Sequence, residues 1–428
     1  MRVRALLACA LALVVGAAPL FAAPAAHAPA RKLATGITGT IRASGLDDPQ
    51  YVLSFEPVQQ LILAACDGPV APARATEMLA SSPAAPADLL RLGLLREERG
   101  AYRLNYLVLT IADQRRIHAV APRFAKSLAE ATLAKRDRFD RIVSRIPDPR
   151  TRADLEFALV AGVFLNWDGL KFSTERGYRA APVKRPNGDS YLVHSYEVGF
   201  RESGEGLYVE SHTYPGPRIS FSTFGDGPSI PRRLGLPDAL FDPLEEGLDA
   251  FAKPPEVYAA AKDALVGGAA EALDDAGAIL EAAAGGGVSN AVLDGLPIPP
   301  ERRERALGLL LATAYLRKDR DRYAVAVPML SSSDGAIADE TLAAGREVLD
   351  AWLSANYRAI ATELADLSPM RSGLPFELAF SEVWHAIFGV ATRELAERGF
   401  YANPRAPGAA RPGFVPLVWA SSVLAGPD

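Results

Sequence analysis

Two stretches of the chain share one pattern: an apolar helix end runs into Leu-Arg, a charged turn, and a Tyr that opens an alternating strand. They are Leu94 to Ile111, LLREERGAYRLNYLVLTI, and Tyr315 to Leu330, YLRKDRDRYAVAVPML. Helical apolar spacing that gives way to period-two alternation across a tight polar turn is the signature of a helix entering a β-hairpin. Upstream of the first copy, Val58, Leu61, Ile62 and Ala65 recur at helical spacing and Asp67-Gly68 stops them. A second short helix fits Ala73 to Ala80, and a third begins near Pro86 with Leu89, Leu90, Leu92, Leu94 and Leu95. Three helices, the last feeding a hairpin "wing", predict a winged helix-turn-helix.

A long helical region follows from Ala112 to about Ile146, interrupted by Pro122 and carrying Arg115, Arg116, Arg123, Lys126, Lys135, Arg136 and Arg138. Pro147 and Pro149 end it. Arg152 to Arg176 then reads as an apolar helix or helix pair. From Arg179 the period becomes alternating, with Asn187-Gly188 as a hairpin signal and strands at Ser190 to Phe200 and Leu207 to Tyr214 flanking the turn RESGEG. Ile219 to Phe224 adds another strand. With no counterpart later in the chain, this segment reads as an inserted antiparallel sheet.

Beyond predicted helices at Asp238 to Ala252 and Pro255 to Val266, the first pattern returns. Pro300 to Leu316 matches the third helix, Arg346 to Leu367 the later part of the long helix, and Phe376 to Phe400 the apolar one. Tyr102 and Tyr323 stand 221 residues apart, and Glu175-Arg-Gly-Tyr178 and Glu397-Arg-Gly-Phe400 stand 222 apart. Two distant landmarks with nearly equal offsets argue for duplication. The expected organisation is therefore α+β and mostly helical. Its parts are a signal peptide (1–26), a flexible spacer (27–50), winged-helix-like unit 1 (51–178), the β insert (179–235), a helical connector (236–272), unit 2 (273–403) and a tail (404–428).

Composition adds compartment and partners. A chain of 428 residues exceeds what one hydrophobic core usually organises. Arg2 and Arg4, an apolar run to about Ala18, and Ala-x-Ala spacings near Ala22 to Ala28 have the order of a secretory signal peptide, with an apolar run too short for a stable membrane span. Removing it takes the formal net charge from −5 to about −7, a poor match to nucleic acid or anionic lipid. Export to the periplasm or the cell exterior is expected. Of the cysteines, only Cys66 would remain, in the apolar run LILAAC, so a mature chain has no internal disulfide.

The segment Phe55 to Ile111 resembles the winged-helix domains of bacterial regulators of the MarR and ArsR type, whose third helix ends in Leu-x-x-x-Gly-Leu-Leu before a wing. Leu89, Leu92, Gly93, Leu94, Leu95 and Arg96 carry the match, with Glu97 to Gly100 at the wing tip. The resemblance implies DNA binding through that helix. The residues themselves argue otherwise, since PADLLRLGLL offers only Arg91 beside Asp88, and PPERRERALGLLL intersperses Glu301 and Glu304 among Arg302, Arg303 and Arg305.

No HExxH, CxxC, GxSxG, P-loop or GxGxxG motif occurs, and no catalytic residue or cofactor is assigned. In a hairpin turning at Ser203-Gly204, His194 stands opposite or one residue off His212, and Glu197 opposite Glu210. That offers a pair of imidazoles but not a full ligand set, so a metal is left open. Tyr196, Tyr208 and neighbouring aromatics, with Trp167 and Asp168 at the end of the apolar helix before the sheet, form the candidate ligand groove. Trp384 and His385 occupy the comparable region of unit 2. The expected function is binding or sensing in the cell envelope through a duplicated scaffold, with a protein or small-molecule partner. The alternatives are a DNA-binding regulator retained in the cytoplasm and a metal-assisted hydrolase on the β insert.

Overall fold

A computed structural model describes residues 31–41, 43–146, 152–185, 188–200, 209–214, 216–226, 255–402 and 414–423. All that follows lies within the compact unit Lys32–Asp428. The expected signal peptide, the helix at Asp238 to Ala252 and the turn RESGEG lie outside the described residues.

The fold is α+β. It begins with strand β1 (Leu33–Thr40), followed by helices α1 (Pro49–Leu53), α2 (Glu56–Asp67), α3 (Pro72–Met78) and α4 (Pro86–Arg91). Proline stands within the first two positions of each helix, where its missing N–H costs nothing. The hairpin β2 (Leu95–Glu98) and β3 (Ala101–Leu104) turns through Arg99 and Gly100, both at positive φ, and Tyr102 also bridges Val70. A short strand β4 (Leu107–Leu109) leads into α5 (Ile111–Leu133), which carries Pro122 in its interior without ending, and then α6 (Arg136–Val143).

The apolar stretch beginning at Arg152 is continuous but not uniform. Helix α7 (Arg152–Phe157) widens into a π-helical segment (Ala158–Asp168) before α8 (Gly169–Glu175). Next come β5 (Val183–Lys184), β6 (Ser190–Glu197), β7 (Val209–Tyr214) and β8 (Ile219–Asp226). The long helix α9 (Pro255–Ala284) is followed by β9 (Val288–Ser289), α10 (Asn290–Asp294), α11 (Pro300–Ala312) and the hairpin β10 (Leu316–Asp319) with β11 (Arg322–Val325). Strand β12 (Met329–Leu330), helices α12 (Gly335–Glu363), α13 (Ser368–Arg371) and α14 (Phe376–Glu397), and strand β13 (Phe414–Ala420) complete the chain.

The expected strands are present, but their pairing corrects the expected insert. β6 and β7 do not form a hairpin. β6 lies between β1, antiparallel, and β4, parallel, whereas β7 pairs with β8 in a separate sheet ordered β12-β13-β8-β7. β6 is therefore an inner strand of the first half, buried on alternate residues by Tyr191, Val193, Ser195 and Glu197. Two further expectations change with it. Residues assigned to a spacer contain β1 and the start of α1, and the assigned tail contains β13, which joins β8 antiparallel and β12 parallel. Local composition hides both strands because their partners are distant: Thr35 pairs with Ser195, and Val418 with Phe221. The segment assigned to a helical connector likewise runs without a break across residue 272 inside α9.

Two runs of elements share an order: a strand, helices, a hairpin, a short strand, a long helix, an apolar helix, and a strand parallel to the short one. Even the helix entries agree. Thr110 and Asp113 cap α5 reciprocally, and Ser331 and Asp334 do the same just ahead of α12. Each helix-and-hairpin region has its own apolar cluster, one from Leu33 to Val193 and one from Ile219 to Val418. A third core is shared. It draws Leu107 to Phe172 from the first half and Leu330 to Val423 from the second.

Within the shared core the halves exchange partners. α5 packs along α14, and the π segment along α12. Approach is close: a Cβ added to Gly345 of α12 would lie 2.3 Å from Phe164, and one added to Gly169 would lie 2.7 Å from Trp384. Several basic residues along and just after α5 and α6 meet acids of the second half, with Arg138 and Lys135 on Glu347 at 2.7 and 3.0 Å, Arg145 on Glu340 at 2.9 Å, and Arg123 on Glu363. Exposed pairs of this kind add little stability singly. In these four, however, the cation comes from the first half and the acid from the second, so together they favour this register.

Candidate functional site

The candidate site forms where β6 of the first half faces α14 of the second. His194 lies at mid-strand with Gly36 of β1 directly opposite. The imidazole lies over that glycine, and a Cβ there would fall 2.1 Å from Nε2. On the far side, Nε2 of His194 is 3.9 Å from Oε1 of Glu382, and Nδ1 of His385 is 3.8 Å from the same oxygen. Glu382 and His385 are three residues apart on α14, hence on one face. The Glu382 side chain is only 8% exposed.

A guanidinium completes the group. The backbone of the segment after α8 is anchored to α14 by Ala180 N–H donating to the Glu377 carbonyl at 3.0 Å. Arg179 itself donates to Thr174 Oγ1 at 3.1 Å, while its Nε is buried with no partner among the described residues. Burial pushes the Arg179 guanidinium below its ordinary value, and the Glu382 carboxylate opposes that shift. Arg179, His194, Glu377, Ser381 and Glu382 line a cleft with Leu107, Leu192 and Leu378. Its interior space is about 20 Å³, room for one or two waters or one functional group, and far below a drug-sized pocket.

The other half lacks this chemistry at the corresponding place. β4 pairs with β6 as β12 pairs with β13, with Val108 opposite Ser195 and Met329 opposite Val418. Leu417 thus stands where His194 stands, and Trp419 where Tyr196 stands. Trp419 packs on Trp167 of the π segment, ring centroids 5.0 Å apart, and both Leu417 and Trp419 are fully buried. One seam is polar and the other apolar on the same framework.

Of the six expected site residues, those whose side chains are described do not gather in one groove. His194 and Tyr196 share a face of β6, with Tyr196 packed against the shared core. Trp167 lies within that core, and Asp168 beside it is held by Arg346, whose Nη2 lies 2.7 Å from Oδ1. His212 lies on β7 opposite Thr223, so the cross-strand pair with His194 is corrected. Tyr208 lies outside the described residues. Glu197 is engaged elsewhere, its Oε2 accepting from Ile111 N–H at 3.1 Å at the start of α5. Among the described residues no group of three His, Cys, Asp or Glu side chains has metal-binding geometry.

Sequence reasoning missed Glu382 and Arg179. One signal was available: after Glu377 in its first turn, Glu382 is the one further carboxylate inside FELAFSEVWHAIFGV, on a helix otherwise apolar enough to be buried all round. Structure also explains three of the arginines on the two third helices. Arg91 pairs with Asp88 at 3.0 Å and with Asp47, Arg302 with Asp275 at 2.8 Å and with Glu271, and Arg303 with Asp294 at 2.7 Å. Carboxylates neutralise them in place, which leaves a poor surface for phosphates.

The chain matches no protein-family model, no curated protein and no solved structure. Among the described residues no helix is long and apolar enough to cross a membrane.

The close fit at Gly36 gives a direct test. Gly36→Ala is expected to destabilise by about 1–3 kcal/mol, because the His194 ring occupies the space a Cβ would take and must leave its place to admit one. His194→Ala in the same chain should recover most of that loss. Urea denaturation of the two single variants and the double variant reads the coupling, and simple additivity would count against the contact.

Proposed function

We propose that this protein is an exported binding or sensing protein, built from two winged-helix-like units related by duplication and fused into one chain. The cleft between β6 and α14 receives one polar group of a protein or small-molecule partner. The observation that carries this reading is the contrast between the seams: Arg179, His194, Glu382 and His385 gather at one, and Leu417, Trp419 and Trp167 fill the other. A buried charged group is costly without a use or a partner, and an apolar solution to the same packing problem exists within this very chain.

The shared element order and the near-constant offset support duplication. The winged-helix assignment of each half rests on three helices followed by a hairpin whose second strand pairs back to the segment ahead of the second helix, Val70 with Tyr102 and Val288 with Tyr323. Export is supported by the N-terminal pattern, and it is compatible with the fold because cleavage near residue 27 leaves β1, starting at Leu33, intact.

The experiment is a thermal-shift panel on the purified mature chain, using small carboxylates, phosphates, amines and short peptides, repeated on Arg179→Met. A probe that raises the melting temperature of the wild type but not of the variant is expected; at a concentration of 100 times Kd the stabilisation is about 2.7 kcal/mol. Equal shifts in both proteins, or none in either, count against the cleft. N-terminal sequencing of the secreted protein tests export, and a retained Met1 would defeat it.

A further inference from the structure

We propose that Glu382 and the two histidines beside it form a proton-operated clasp, in which uptake of one proton by His194 or His385 tightens β6 of the first half onto α14 of the second. The clasp rests on the sensing reading above and specifies the stimulus.

The geometry is that of a shared acceptor. Both imidazoles approach the same carboxylate oxygen, at 3.9 and 3.8 Å, one from each half of the molecule. With both rings neutral, the charged groups among the described residues lining this cleft are Glu382, Glu377 and Arg179, which sum to −1. One proton brings the group to neutrality, and a second would place an excess positive charge in a half-buried site. A one-proton response is therefore the favoured stoichiometry. The imidazolium would face a carboxylate that is almost wholly out of solvent, where a charged contact is screened far less than on the surface.

The titratable groups described on α5 do not supply an equivalent answer. On α5, Asp113 is committed to Thr110 and to Ser368 N–H, Glu130 to Arg398, and the His118 ring lies against Phe200. β7, which also runs past α14, carries Glu210 and His212 in its sequence. The pseudo-equivalent seam is no competing sensor, because Leu417 and Trp419 cannot titrate. Histidine is the side chain whose ordinary titration, near pH 6.5, falls in the range an envelope protein meets, and the whole chain holds only five of them.

The test uses the full mature chain. Melting temperatures at pH 5.5 and 8.0 are compared for wild type, Glu382→Gln, His194→Gln and the double variant His194→Gln with His385→Gln. Relative to Glu382→Gln, the wild type should gain about 2–4 °C on acidification, and the double variant should lose that gain. Histidine Cε1 proton resonances of the wild type provide a second readout that needs no variant to fold well. At least one of the His194 and His385 resonances should respond at lower pH in Glu382→Gln than in the wild type. The same pH response in all four proteins, or histidine midpoints indifferent to Glu382→Gln, overturns the clasp. A probe that shifts wild type but not Arg179→Met, with no such pH response, removes the clasp and leaves the binding reading standing; loss of both removes both.

Discussion

Trp384→Ala is expected to cost about 3–5 kcal/mol, the range for emptying a fully buried aromatic site. Trp384 is completely buried on α14, against Trp352, Phe380 and Phe388 with centroids 5.8 to 6.2 Å away, and its ring lies over Gly169. It also makes a polar contact that alanine cannot replace, with Nε1 donating to the Leu165 carbonyl at 2.8 Å. That carbonyl belongs to the π segment, so the indole pins an apolar helix of one half to that of the other. Trp384→Phe separates the two contributions. It keeps most of the apolar contact but leaves the Leu165 oxygen without its donor, for an expected loss of about 1–3 kcal/mol. Guanidinium denaturation followed by circular dichroism measures both. Because the core is continuous across the halves, the Ala variant should still unfold in one transition at lower denaturant. Two separated transitions, or a loss under about 1 kcal/mol for alanine, would show that Trp384 does not join the halves.

Much of the element content is legible from period alone. Alternation at Ser190 to Phe200 marks β6 nearly to its ends, and apolar spacing marks α2, α11 and α14. What period cannot express is partnership. Two strands close in sequence are expected to pair, yet β6 finds β1 some 160 residues away and a parallel neighbour in β4. An inner strand between two layers needs one buried face for each, and the alternation of β6 serves the first cluster with Tyr191 and Val193 and the cleft with Leu192 and His194. The same limit applies to the site. His194 stands out on rarity and Trp167 on size, but Trp167 is spent on packing. Glu382 gains meaning only once α14 is placed beside β6. The repeated capping pairs, Thr110 with Asp113 and Ser331 with Asp334, were present in the sequence and would have aligned the halves at their helix entries.

The same interlocking architecture makes Arg346 a sensitive position. Arg346→Ala is expected to cost about 2–4 kcal/mol, somewhat below the range for breaking a wholly buried ion pair because the guanidinium is 37% exposed. Arg346 reaches from α12 to Asp168 at the end of the π segment, donating from Nε at 3.0 Å and from Nη2 at 2.7 Å, and it also lies 3.2 Å from Glu175. Asp168 is 4% exposed, and burial holds its carboxyl above the ordinary value even though Arg346 pulls it down. The sign follows. An acid raised in the folded state contributes stability below its unfolded value, near 3.9, and that contribution is lost as pH rises through the folded value. Removing Arg346 leaves the burial and deletes the main opposing force, so the folded value rises further. The penalty of Arg346→Ala should therefore be largest at neutral pH and shrink as the solution approaches pH 4. Asp168→Asn should remove this pH dependence, and combined with Arg346→Ala it should recover part of the loss, since no uncompensated charge then remains buried. Urea titrations of the three variants at pH 4.5 and 7.5 decide the matter. A penalty independent of pH would mean that Asp168 and Arg346 hold the halves by packing rather than by charge.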